Sequence, residues 1–289
     1  MGYLVGVTIL WAFSFSLIGV YLAGQVDSYF AVMLRVGLAA LVFLPFLKPR
    51  LLRGRQRLVL MALGAVQLGV MYLFFYQSFL LLSVPEVLLF TIFTPLYIAL
   101  LDDLLFGRFT PMYLVTAALA VVGAAVIRYD GVNNDFWLGF LVVQGANLCF
   151  ALGQVGYRRF SAELPDSLPR HSVFAWFYLG AMVIAAPGFL LLGNSAGLPT
   201  TGVQWGVLLW LGIVASGVGY FLWNLGATRV DAGALAIMNN ALIPAGLLVN
   251  LLIWNREADL TRLALGGAII VGSLFLNEWW LRRRRPQSA

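Results

Sequence analysis

From Ser172 to Thr228 the chain carries no charged side chain. That stretch is far longer than the about 20 apolar residues a bilayer-crossing helix needs. The Gly/Pro/Ser/Asn-rich segment 193–202 divides it into two. The same reading along the whole chain gives ten apolar segments, at roughly 3–24, 29–47, 58–82, 84–101, 111–128, 136–157, 173–192, 205–227, 233–253 and 263–281. Composition agrees: 62% of the residues are hydrophobic and only 10% charged, where a soluble domain carries roughly 25% charged residues. A water-soluble fold of this size lacks the polar side chains to cover its surface. Soluble enzymes, nucleic-acid binders and disordered regulators are disfavoured on that ground.

Chemistry-bearing residues are scarce. Cys149 is the only cysteine and His171 the only histidine, so neither a disulfide nor a cysteine- or histidine-rich metal site is expected. HExxH and Walker-type motifs are absent. The reading is a non-enzyme that needs no cofactor and no metal. MGYLVGVTIL lacks the basic start of a secretory signal and is read as a retained first span.

The basic residues orient the spans. Of the 18 Lys and Arg, only Arg128, Arg256 and Arg262 fall in segments on one side, and Arg35 lies inside a span. The rest, including Lys48 to Arg57 and Arg282 to Arg285, fall on the other side. Basic loops stay in the cytoplasm, so ten spans with both termini cytoplasmic is the expected topology.

The sequence also repeats itself. LGAVQLGVMY (63–72) aligns without gaps with LGIVASGVGY (211–220), and further on Pro95 pairs with Pro244 and Gly123 with Gly272. The repeat unit therefore holds five spans. Five is odd, so the second copy sits upside down in the membrane. The expected fold is an all-α integral membrane protein of two inverted five-helix repeats, residues 1–130 and 131–289. Secondary transporters are often built this way, with the site at the midplane between the halves.

The segments GVGYFLWNLGATRVDAGALAIMNNALIP (217–244) and NREADLTRLALGGAIIVGSLFL (255–276) carry a family resemblance. The weaker first-half copy around Tyr72, Pro95 and Gly123 adds to it, as does Arg35 in the second span. The chain resembles the drug/metabolite transporter superfamily, in its ten-helix EamA-type branch, over nearly its whole length. The resemblance implies export of amino acids, organic cations or other metabolites, and the overall similarity points to aromatic amino acids. Small multidrug-resistance relatives exchange protons for cations on an intramembrane glutamate. No Asp or Glu lies mid-span here, which disfavours that mechanism.

A solute path needs polar and aromatic groups facing the bundle interior, because polar groups facing lipid are costly. Gln144, Asn147 and Gln154 share one face of the sixth segment. Trp11, Tyr72, Tyr220 and Trp223 lie too deep for an interfacial aromatic belt. The expected lining is Trp11, Ser14, Tyr72, Gln144, Asn147, Tyr220, Trp223 and Asn240. The competing role for each is helix packing or interhelical hydrogen bonding. Of the adjacent Asn239 and Asn240, at most one faces the path. Arg35 either snorkels outward or meets a substrate carboxylate. Pro95 and Pro244 each free a backbone carbonyl and are candidate hinges. Ser83 and Glu86 have the spacing of a capping box.

The functional expectation is a secondary transporter in the cytoplasmic membrane. It moves a small amphipathic molecule, first of all an aromatic or neutral amino acid, outward by alternating access. Organic cations and sugar nucleotides remain alternatives, and an intramembrane enzyme or receptor a remote one. Its partners are the lipid bilayer and a small-molecule substrate, not nucleic acid. A duplicated chain holds both halves, so a monomer suffices.

Overall fold

The computed structural model describes residues 2–105, 134–165, 167–230, 232–254 and 260–284, with scattered positions between 111 and 126. The helices are α1 (Gly2–Tyr21), α2 (Ser28–Phe43), α3 (Gly54–Leu81), α4 (Val84–Leu105), α5 (Asn134–Ala162), α6 (Arg170–Leu192), α7 (Gly202–Ala227), α8 (Ala232–Trp254) and α9 (Leu260–Arg284). No strand occurs among the described residues. Among the described residues seven helices, α1 to α7, are long and apolar enough to cross a membrane, and Met238–Trp254 within α8 is a shorter apolar stretch. The expected span at 111–128 lies mostly outside the described residues. α5 is longer than expected: its 29 residues extend about 43 Å at 1.5 Å per residue, against a hydrocarbon core of about 30 Å. Its last turn, with Arg158 and Arg159, therefore reaches past the apolar layer.

The bundle is apolar outside, and it draws its polar side chains into an otherwise apolar interior. Leu190, Leu191 and Leu252 are 77%, 80% and 79% exposed, while Arg35, Gln67, Asn224 and Asn250 are buried. In water this would be inverted; in lipid it is required, because only the interior offers hydrogen-bond partners. Asn250 of α8 donates to Ser16 Oγ of α1 at 3.1 Å. Gln67 presses against Gly153, where a Cβ would overlap its side chain, and neither of its amide atoms finds a partner among the described residues.

Caps fix the helix ends. Asp27 caps α2 by accepting from Phe30 N at 2.8 Å and holds the loop before α7 through Asn194 N at 3.1 Å. Ser83 and Glu86 pair as expected: the Ser83 backbone N–H and hydroxyl both donate to Glu86 Oε2 at 2.8 Å. Gln204 returns to the Thr201 N–H at 3.2 Å as Gln204 N bonds Thr201 Oγ1. α3 and α6 touch backbone to backbone. A Cβ on Gly180 would run into Met61 O, and one on Gly64 into Phe177 O. Small residues at such crossings let helices approach closely in lipid.

Both segments of the repeated motif depart from α geometry. Ala65–Val70 in α3 and Trp210–Val218 in α7 are π-helical. A π turn holds one extra residue and commonly marks a functional site. In α7 its carbonyls are bonded from outside: Trp11 Nε1 donates to Ala215 O at 2.9 Å, and the Tyr178 hydroxyl lies 2.7 Å from both Ser216 O and Gly217 O.

Candidate substrate cavity

A central cavity of about 90 Å³ is walled by α1, α2, α3, α4, α5, α7 and α8. Six of the eight residues expected to line a path border it: Trp11, Ser14, Tyr72, Asn147, Tyr220 and Trp223. Arg35 borders it as well. Gln144 stands behind Asn147, where it accepts from Asn147 Nδ2 at 3.1 Å and from the Tyr97 hydroxyl at 3.3 Å. Of the adjacent asparagines it is Asn239, not Asn240, that faces the cavity. Gln154 lies beyond Trp223 and accepts its indole N–H at 3.3 Å. Phe15, Met71, Phe75, Ala146, Phe150 and Leu242 add apolar wall, and Thr91 and Thr94 border it too. In a chain this apolar, the apolar ones carry no signal that singles them out.

The aromatic wall is continuous. Trp11 lies against Tyr220 (centroids 4.8 Å apart) and Trp223 (4.9 Å), and Tyr220 meets Tyr72 edge to face at 5.8 Å. The Trp11 indole N–H is spent on Ala215 O, so its ring offers a face rather than a donor. Gly219 permits this: a Cβ there would lie 3.0 Å from Trp11 Nε1. Aromatic faces of this kind suit a flat or compact apolar ring system.

Arg35 is 2% exposed and does not snorkel. Its guanidinium lies 4.2 Å from the Tyr72 ring centroid and 5.9 Å from that of Tyr76. Nε donates to Ser216 Oγ at 2.5 Å, and Nη1 to the Tyr76 hydroxyl at 3.5 Å. Ser216 Oγ is also 2.8 Å from the Tyr72 hydroxyl. A guanidinium has five N–H donors. The remaining ones have no protein acceptor among the described residues, and no carboxylate pairs with Arg35. A buried cation in that condition is costly unless an anion joins it. Ser216 was not anticipated, although the repeat held a clue. Where the first copy reads Gln67-Leu68, the second reads Ala215-Ser216, so each copy places one polar residue at this point of its π turn.

In α4, Pro95 has no N–H to give and the helix tightens into a 3-10 turn at Thr91–Phe93. Thr94 Oγ1 donates to Thr91 O at 2.8 Å, and Asn147 Nδ2 to Phe90 O at 2.8 Å. The carbonyls loosened before the proline are thus bonded by side chains. Pro244 lies within α8, which stays helical from Ala232 to Trp254. The two prolines, matched in sequence, have different local structures.

A lipid-facing helical bundle around an aromatic cavity with a buried cation defines a membrane transport protein. The chain belongs to the EamA-like transporter family, whose family model matches residues 1–129; it is a multi-pass transporter of the cytoplasmic membrane and not an enzyme. It is 53% identical over 290 residues to the biotin transporter of Salmonella typhimurium, covering 100% of this chain and 96% of that protein. It is 55% identical over 285 residues to a probable biotin transporter of Pseudomonas aeruginosa, covering 99% and 100%. The biotin transporter of Escherichia coli K12 is 52% identical over 290 residues, covering 100% and 96%. A solved crystal structure with 23% identity has the same fold, with a TM-score of 0.66 over 98% of both chains.

Proposed function

We propose that this chain carries biotin across the cytoplasmic membrane. The observation that carries the reading is Arg35, a buried cation with unused donors at the edge of an aromatic cavity. Biotin ends in a carboxylate, which suits a guanidinium. Its compact fused rings suit the faces of Trp11, Tyr220 and Trp223. Relatives 52–55% identical over their whole length are named for the same cargo. Those names move the substrate away from the aromatic amino acid that overall resemblance implied. An organic cation is disfavoured, since Arg35 repels it.

Movement proceeds by alternating access between two inverted five-helix halves, residues 1–130 and 131–289, within a ten-span topology with both termini cytoplasmic. The family match ending at residue 129 supports that boundary. The π turns on the two copies of the repeated motif support the duplication. Pro95 and Pro244 serve as bending points, and one copy of the chain suffices.

The test is uptake by proteoliposomes of labelled biotin, tryptophan, phenylalanine, choline and a sugar nucleotide, with and without an imposed pH gradient. Saturable biotin flux is expected. Flux of tryptophan or phenylalanine without biotin restores the amino-acid reading, and flux of choline or the sugar nucleotide alone discards both. A gradient requirement separates proton coupling from facilitated diffusion.

A further inference from the structure

Resting on that assignment, we propose that Thr91, Thr94, Asn147 and Asn239 form an acceptor pole that binds the cargo's N–H groups, which in biotin are the two N–H groups of the ureido ring. All four border the cavity. What distinguishes them is where their hydrogens go.

Phe90 O is a carbonyl and can only accept. The Asn147 atom 2.8 Å from it must therefore be the amide nitrogen. The second Nδ2 hydrogen goes to Gln144 Oε1 at 3.1 Å. Both donors of Asn147 are then used, and Oδ1 is left as an acceptor. Thr94 has one hydroxyl hydrogen. Thr91 O at 2.8 Å takes it in preference to Asn147 Oδ1 at 3.3 Å. The Thr91 hydroxyl gives its own to Leu88 O at 2.7 Å. Asn239 is oriented in the same way, since its Nδ2 donates to Leu235 O at 3.0 Å and Oδ1 points elsewhere. The pole therefore presents hydroxyl lone pairs and amide oxygens, while nearly all its donors are committed to the protein.

Such a surface repels a carboxylate and pairs with N–H. It is also built on other helices than the cation. Arg35 and its partners Tyr72, Tyr76 and Ser216 belong to α2, α3 and α7, whereas the acceptors belong to α4, α5 and α8. A cargo that satisfies both carries its anion and its N–H groups on different parts of the molecule. Biotin is built that way. An α-amino acid is not, because its ammonium and carboxylate share one carbon. The two poles thus set both orientation and selectivity.

The test is inhibition of labelled biotin uptake into proteoliposomes by two analogues, in wild type and in Thr91→Val and Asn239→Leu. N,N′-dimethylbiotin caps both ureido N–H groups, and biotinamide neutralises the carboxylate. In wild type the dimethyl analogue is expected to compete about tenfold or more weaker than biotin. In Thr91→Val, which keeps the shape and removes one acceptor, biotin itself weakens and the dimethyl penalty shrinks several-fold. The biotinamide penalty stays as in wild type. A purely structural role for Thr91 or Asn239 would change all three compounds alike and leave the ratios fixed, which overturns the assignment. Equal competition by biotin and its dimethyl analogue in wild type also overturns it, while leaving biotin transport standing. Absence of biotin flux in wild type overturns the underlying substrate reading, and the urea assignment with it.

Discussion

The Tyr178 hydroxyl lies 2.7 Å from Ser216 O, and at the same distance from Gly217 O. α6 thereby holds the backbone of the residue whose side chain accepts from Arg35. A hydroxyl has one hydrogen to share between these carbonyls, both of which lie in the π-helical stretch Trp210–Val218. The widened turn and the buried cation are parts of one hydrogen-bonded unit.

Tyr178→Phe tests that unit. Interhelical hydrogen bonds in membranes contribute about 0.6 kcal/mol on average and up to roughly 1.7. Two carbonyls depend on this hydroxyl, so a loss of about 1 kcal/mol is expected. That lowers the unfolding midpoint in detergent by about 2–4 °C, with slower biotin flux. An unchanged midpoint together with unchanged flux would show that the turn holds without Tyr178.

Arg35→Gln removes the cation and keeps a polar side chain of similar reach. Hydrogen bonds to charged groups contribute about 1.5–3 kcal/mol, so the KM for biotin should rise roughly 10- to 100-fold. Competition by biotinamide should hardly change. Arg35→Lys restores the charge without the planar fork and should recover only part of the loss. Equal weakening of biotin and biotinamide would assign Arg35 to the framework rather than to the cargo.

Glycines at the α3–α6 crossing should tolerate no added methyl group. In Gly64→Ala and Gly180→Ala the new carbon meets backbone, not a side chain that can turn away. A destabilisation of about 1–3 kcal/mol is expected for each. Gly206→Ala has nothing within 4 Å of its new carbon and should be neutral. Thermal unfolding of the three purified variants gives the comparison, and a neutral Gly180→Ala contradicts the crossing.

Cys149 is the only native cysteine, so a Cys149→Ala background leaves the chain clear for labelling. Ser14→Cys, on the cavity wall, should react with a water-borne thiol reagent and be protected by biotin. Val183→Cys, 57% exposed on α6, faces lipid and should resist the reagent whether or not biotin is present. Labelling of Ser14→Cys that ignores biotin would remove that wall from the substrate path.

Much of the bundle is readable from the sequence because lipid imposes a simple rule: apolar length sets the spans. The expected segments and the described helices agree to within several residues, and the Ser83–Glu86 cap follows from its spacing alone. Facing is harder to read. Asn239 and Asn240 differ by about 100° around a helix axis, less than the uncertainty that a shifted helix end introduces. Gln144 shares a face with Asn147, yet Tyr97 of α4 draws it behind the wall. Ser216 meets Arg35 across 181 residues of chain, and no local pattern announces such a pairing. The π turns are equally silent, since a wider turn leaves no apolar period of its own. The repeat marks where they fall but not their shape.

The wider turn at Trp210–Val218 also works as an azimuthal setting. Tyr220 and Trp223 lie on the α-helical run that follows it. Their direction depends on how many residues the turn consumes. Were the stretch to close into ordinary α geometry with its residues unchanged in number, everything downstream would swing by about 100°. Both rings would leave the cavity while the span kept its composition and nearly its length. In this chain the width of one backbone turn separates a cavity wall from a lipid-facing surface, and the backbone geometry of α7 shapes the cavity as much as the side chains it carries.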